Sequence, residues 1–189
     1  AYRVRHWMNR NTRRNSAKNI HAHYDLGNLF YQLWLDPSMN YSSAWFDGNT
    51  TQSLVQAQRA KMARALRLAG VLPGAAQRVL EIGCGWGAVA EMGADEFGAQ
   101  MTGVTLSQAQ LDFAQQRLQS KGLQADLRLQ DYRDIQDPPF DAICSIEMLE
   151  AVGQAYWPQY FATLNRLLKP GGRACIQTIV IDDHLFERY

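Results

Sequence analysis

A chain of 189 residues, 47% hydrophobic and 20% charged, can bury a real core as one domain and is too apolar for a disordered segment. No apolar run approaches the ~20 residues of a membrane-crossing helix, and the opening "AYRVRHWMNRNTRR" lacks the apolar stretch of a secretory leader. The net charge of +1 hides an asymmetry: Arg3, Arg5, Arg10, Arg13, Arg14 and Lys18 precede the first acid, Asp25, and the remaining thirteen bases face all eighteen acids.

A basic arm on an acidic body suits an anionic partner, either a phospholipid surface or a nucleic acid, or else is a solvated tail. Trp7 and Met8 among its charges favour an interfacial segment. Further along, "NLFYQLWLD" (28–36) has apolar residues at helical spacing and stops before Pro37, which predicts a short helix. "MNYSSAWFDGNT" reads as loop, and residues 1–50 are expected to form the arm and a lid segment. A long amphipathic helix follows over 51–70, with Leu54, Ala57, Met62, Ala65 and Leu66 on its buried face and Gly70 as its stop.

From there strands and helices alternate: "RVLEIG", a helix from about Trp86, "QMTGVTL", a helix over 107–122 capped by Ser107, and "ADLRLQD". A helix or turn, "FDAICSIEM", the helix "YWPQYFATLNRLLK" and the strand "RACIQTIVI" complete the series. This alternation predicts a doubly wound, mostly parallel sheet over 51–189, with its ligand at the C-terminal strand edge. The start at Ala1 suggests a fragment, and the end after the fifth strand suggests that further strands are missing. Cys84, Cys144 and Cys175 are odd in number and have no metal-ligand spacing, so reduced cytosolic thiols are expected. His21 and His23 have no supporting Cys or acidic cluster, and no metal is assigned.

The chemistry begins at "VLEIGCGWG". Gly83, Gly85 and Gly87 follow a strand at G-x-G-x-G spacing, which lets the backbone approach a ligand and turn into a helix. Glu81 ends that strand, where a carboxylate can order the turn or meet a cation. Pyrophosphate would be a poor neighbour for it, whereas the sulfonium and amino groups of S-adenosylmethionine (AdoMet) would be good ones. "LLKPGGRACIQTI" resembles the late turn of AdoMet-dependent methyltransferases of the Rossmann-like class I type. The second strand, however, ends in "GVTLS" instead of an acid, leaving Thr105, Ser107 and Gln110 as its polar groups.

In order along the chain, "HYDLGNLFYQLWLDPSMNYSSAWF", "EIGCGWG", "GVTLSQAQ", "DYRDI", "SIEMLEAVG" and "KPGGRACIQTI" together resemble the cyclopropane fatty acid synthase family. The resemblance implies AdoMet as cofactor and the cis double bond of an unsaturated phospholipid chain as acceptor. It implies a cytoplasmic protein working peripherally on the anionic inner membrane and leaves a homo-oligomer open, while basic residues clustered only in the arm, without a target-base motif, argue against a nucleic-acid partner. Matching cofactor positions are Tyr41 and Ser42 in the lid, Gly83 and Gly85 in the turn, and Thr105, Leu106 and Gln110 after the second strand. Asp131 and Tyr132 fall where the adenine is held, and Ile146 at the methyl-donor end.

An alkene is a weak nucleophile, so it must be held in line with the methyl group at near-attack distance. The resulting carbocation needs a dry cavity, a nearby negative group and a base for the proton whose loss closes the ring. The resemblance implies bound bicarbonate as that base and Glu150 as the residue that positions it. At two positions near the anion, many family members have Cys where Ser43 stands and His where Gln177 stands. Serine can still offer its backbone amide, but Gln177 carries no charge, so a weaker hold on the anion is expected. Trp34, Trp45, Phe46, Tyr156 and Trp157 could line an acyl pocket or simply pack a core. The competing functions are methyl transfer to a small-molecule nitrogen or oxygen, and a non-catalytic AdoMet- or lipid-binding module.

Overall fold

The computed structural model describes residues 27–186, so the basic arm, His21 and His23 lie outside the described residues. Five strands, β1 (Arg78–Ile82), β2 (Gln100–Thr105), β3 (Asp126–Leu129), β4 (Phe140–Ile146) and β5 (Leu168–Gln177), pair in the order β3-β2-β1-β4-β5. Every pairing is parallel. The central strands are apolar almost throughout because helices cover both of their faces. Successive residues of β1 feed opposite cores. Val79 packs with Met62, Leu66, Met92 and Met101, while Leu80 packs with Ile143, Tyr160, Leu164 and Leu167. The predicted doubly wound sheet is therefore present, and its order reverses between β1 and β4, where a crevice opens at the strand ends.

The connecting helices are α1 (Gly27–Gln32), α2 (Leu54–Leu68), α3 (Ala88–Asp95), α4 (Gln108–Ser120), α5 (Leu149–Val152) and α6 (Trp157–Leu167). Ser53 and Gln56 form a reciprocal capping box that starts α2, and Gly70, at φ +81°, turns the chain away after it. Ala57, Met62, Ala65 and Leu66 are buried as expected, but Leu54 sits one residue inside the cap and is 44% exposed. Ser107 caps α4 by accepting from Gln110 N.

Several boundaries differ from the sequence reading for local reasons. α1 ends at Gln32, and Asp36 instead builds the next turn, accepting from Ser38 N and Oγ. β4 stops at Ile146 because Glu147 takes φ +48°. The expected Lys169–Gly172 turn is absorbed into β5 as an irregularity, with Phe140 opposite Leu168 and Ala142 opposite Arg173. β5 ends at Gln177, four residues before the end of the apolar run. Among the described residues no helix is long and apolar enough to cross a membrane.

The lid segment is tied to this frame. Tyr31, Met39 and Trp86 form a small core of their own, and Trp86 Nε1 donates to Asn28 Oδ1 at 2.8 Å. Arg117 of α4 donates to three carbonyls, those of Pro37 (2.8 Å), Ser38 (2.6 Å) and Trp86 (3.1 Å), so one side chain ties lid to glycine turn.

Gly87 is where the turn meets α4. It has φ +81°, and a Cβ there would lie 2.7 Å from Ala114 Cβ. Gly87→Ala is expected to lower unfolding stability by about 2–4 kcal/mol, measured by urea denaturation.

Candidate active site

At the C-terminal ends of β1, β2 and β4 lies a cavity of about 560 Å³. Glu81 and the turn glycines Gly83 and Gly85 line it from β1. Thr105, Leu106 and Gln110 line it after β2, Asp131 and Tyr132 after β3, and Ile146 at the end of β4. Tyr41 and Ser42 reach it from the lid. All of the cofactor positions picked out in the sequence are thus gathered around one space, although they come from five separate segments.

The turn explains part of this convergence. Gly83 N and Cys84 N both donate to Val104 O at 3.0 Å, which pins the turn to the neighbouring strand. Gly85, at φ +50°, faces open space where a Cβ would stand, so its backbone is approachable in the way a ligand-cradling turn requires. Gly87 instead packs against α4. Beyond β2, Thr105 Oγ1 and Gln110 Oε1 are 3.0 Å apart in the buried wall, and Ser107 serves as the helix cap. Asp131 accepts from Arg133 N and Nε at 3.0 and 2.8 Å and forms an ion pair with its guanidinium, which fixes the loop after β3.

Glu81 is the electrostatic centre. Its side chain is buried, its Oε2 has no hydrogen-bond partner, and the Ala90 N–H supports its carboxyl. Burial raises its pKa to about 8, against the opposing pull of that N–H and of Lys61. The raised pKa keeps the carboxyl largely protonated at neutral pH, and a cationic or hydrogen-bond-donating ligand group brought against its unpaired oxygen would favour the ionised form.

Ser43 and Gln177 do come together, but around a residue the sequence reading missed. Glu147 Oε1 accepts from Ser43 N (2.8 Å), Ser43 Oγ (2.7 Å) and Gln177 Nε2 (3.0 Å). Glu150 touches neither. Its Oε1 accepts from Thr178 Oγ1 at 2.7 Å and from Ile179 N. Both glutamates line the cavity. Bicarbonate does not fit the Ser43–Gln177 donors as they stand, because those donors already hold a carboxylate and a second anion would lie against it. The available signal was position: Glu147 directly follows the apolar run of β4, at the strand edge where ligands bind. A second missed residue is Lys61, a lysine spaced four from Ala57 and four from Ala65 on the buried stripe of α2.

Of the candidate pocket aromatics, Tyr156 lines the cavity. Trp45 lies under the Arg64 guanidinium at 4.1 Å, and Trp34 and Trp157 are 51% and 41% exposed. Phe46 is half-buried outside the cavity lining.

The family model for mycolic acid cyclopropane synthetase matches residues 11–187. The chain belongs to that family. It is 41% identical over 181 residues to tuberculostearic acid methyltransferase UfaA1 of Mycobacterium tuberculosis, covering 92% of this chain and 42% of that one. It is 43% identical over 158 residues to cyclopropane-fatty-acyl-phospholipid synthase of Escherichia coli, covering 83% of this chain and 39% of that one. The chain therefore spans about two fifths of the length of these relatives. The crystal structure of mycolic acid cyclopropane synthase CmaA1 complexed with SAH and CTAB superposes with a TM-score of 0.75 at 34% identity, over 81% of this chain and 53% of that one.

Glu81 has a stability signature. Its folded pKa, about 8, lies above its unfolded value, so its contribution is fully present below the unfolded pKa and is lost as pH rises through about 8. Asp137 and Asp141 are shifted downward, so their contributions change only at lower pH. Thermal unfolding should therefore show Tm falling between about pH 5 and pH 8, with a flatter profile in Glu81→Gln.

Proposed function

We propose that the cavity binds AdoMet and that the chain transfers its methyl or methylene group to the cis double bond of an unsaturated phospholipid acyl chain. The observation that carries this reading is the unpaired Glu81 Oε2 in the wall of a cavity built by the glycine turn. The ammonium and sulfonium of AdoMet would answer that oxygen. Family membership and the SAH held in the CmaA1 structure support the same ligand. The name of the Escherichia coli relative supports the acceptor.

When bound, AdoMet supplies an electrophilic methyl group on a sulfonium. Glu81 would anchor its cationic end, while Gly85 gives the backbone room to approach. Thr105 and Gln110 after β2, and Asp131 and Tyr132 after β3, supply polar groups and a ring to the same cavity. Ile82, Val104, Ile146, Met148 and Val152 give the cavity the apolar surface that an alkene and a developing cation on the acyl chain need. The base is assigned to Glu147. Its Oε1 is held by three donors, and its Oε2 has no hydrogen bond among the described residues. Its carboxylate takes the proton lost from the transferred methyl, and the freed C–H electron pair closes the three-membered ring. A second outcome, a methyl-branched chain, follows if the same cation meets another fate, and the UfaA1 relative, named a methyltransferase, supports methyl transfer as such.

The basic arm supports work at an anionic lipid surface, as do Leu29, Leu33 and Trp34, which are 81%, 82% and 51% exposed. Trp34 packs edge-on against Tyr41, a residue of the cavity lining, with 5.7 Å between centroids, so this apolar face borders the cavity.

Mass spectrometry of lipids after incubation with AdoMet and cis-unsaturated phospholipid vesicles tests the reaction. The expected product carries one added CH2 on the acyl chain, and fragmentation separates ring from branch. No product with AdoMet binding intact would favour the binding-module reading, and turnover without phospholipid would favour a small-molecule acceptor. Glu147→Gln is expected to lower product formation by roughly 10²–10⁴-fold with AdoMet affinity preserved, and bicarbonate depletion to leave the wild-type rate unchanged. Loss of wild-type activity on bicarbonate depletion would overturn the assignment of the base to Glu147.

A further inference from the structure

Lys61 is the buried cation that the proposed chemistry leaves unused. It lies on α2, 2% exposed, behind the lid. Its Nζ donates to Ser42 Oγ at 2.6 Å and to Asn40 Oδ1 at 3.1 Å. Among the described residues no carboxylate lies within ion-pair distance of it, although Glu147, Asp36 and Glu81 all act on it at longer range. Burying a lysine is unfavourable, and here the burial drives its pKa down to about 8. Its neighbour Gln58, one turn earlier, holds the same stretch by the backbone, donating to Ser42 O at 2.8 Å and Asn40 O at 3.4 Å. Gln58 would be enough to fix the path of the loop, so the ammonium is left to act on the side chains.

What it does follows from the chemistry of a hydroxyl. Ser42 Oγ has one hydrogen to give and two lone pairs to receive with. The ammonium occupies the receiving side with a short charge-assisted bond, so the hydroxyl hydrogen must point away from Lys61. No acceptor for that hydrogen is present among the described residues, and Ser42 lines the cavity. A hydroxyl polarised by a cation behind it is a stronger donor than a free one. Glu81 lines the same cavity within electrostatic reach of Lys61, and its Oε2 has no hydrogen-bond partner. The two features together form a receptor for a zwitterion, with the amine answered by Glu81 and the carboxylate by Ser42.

We propose that Lys61 is a positioning residue that turns Ser42 into a fixed donor for the carboxylate of an amino-acid-bearing ligand. Lys61 acts through Ser42 and does not itself touch the ligand. The inference rests on the reading of this cavity as an AdoMet site and deepens it by naming which end of the ligand Lys61 controls.

The test is calorimetric binding of S-adenosylhomocysteine and of its decarboxylated analogue, which keeps the amine and lacks only the carboxylate. Lys61→Met should weaken binding of S-adenosylhomocysteine by about tenfold to a hundredfold and leave the decarboxylated analogue within about twofold of wild type. Ser42→Ala should reproduce that selective loss without disturbing the buried helix, so the relay is tested even if Lys61→Met unfolds. The double variant should lose little more than either single one. Equal weakening of both ligands would reduce Lys61 to a structural role and overturn the inference, as would unchanged binding of both. A wild-type chain that binds neither ligand would overturn the cavity reading itself, and this inference with it.

Discussion

A carboxylate buried at the end of the central strand is the constraint around which the rest of this molecule is arranged. Glu81 sits where the order of the sheet reverses, supported by the Ala90 N–H on one side and unpaired on the other. Transferring an ionised group out of water is costly unless partners compensate, and a single amide does not compensate fully. The protein meets that cost in part through Lys61, placed within electrostatic reach but not in contact, and leaves the remainder open. A closed ion pair at this position would have left no carboxyl oxygen for a cationic ligand.

The lid is held by directional polar contacts in addition to the small apolar core of Tyr31, Met39 and Trp86. Arg117 takes two lid carbonyls and one from the glycine turn, while Gln58 and Lys61 take the stretch from Asn40 to Ser42. Ser43 is then tied to Glu147. Of these anchors, Glu147 also lines the cavity, so one lid contact and one charge of the cavity wall share a side chain. A lid packed only by hydrophobic contact would tolerate sliding, whereas hydrogen bonds near 2.6–2.8 Å do not.

Glu147 combines an uncommon backbone conformation with a carboxylate held by three donors. A glutamate at φ +48° is uncommon, and the conformation is held by its N–H donating to Gln177 O at 2.8 Å and by the three donors on its carboxylate. The turn aims the side chain back across the end of β4 toward Ser43. Three residues later, Glu150 is directed to the Thr178–Ile179 backbone. Two acids only three apart in sequence are thus given separate surroundings by one unusual dihedral angle.

The alternation of strands with helices, the turn at Gly83–Gly87 and the caps at Ser53 and Ser107 were legible from residue types alone, because hydrophobic period, glycine conformation and capping are local properties. The cavity positions from Tyr41 to Ile146 were named from motif resemblance and, for Glu81, from its place at the strand end, and the fold puts them around one cavity. Boundaries such as the early end of α1 and the bulge in β5 were not, since they depend on which side chain captures a backbone group in competition with the helix or ladder. Nor were the partners of Ser43 and Gln177, which lie 134 residues apart in sequence and meet only when β5 docks beside β4. Sequence by itself determined the class of sheet and most of the residues gathered at its edge, Glu147 excepted. Tertiary structure alone decided that Glu147 holds the anion donors and that a buried lysine stands behind Ser42, because hydrogen-bond partnership and desolvation depend on distances across the fold.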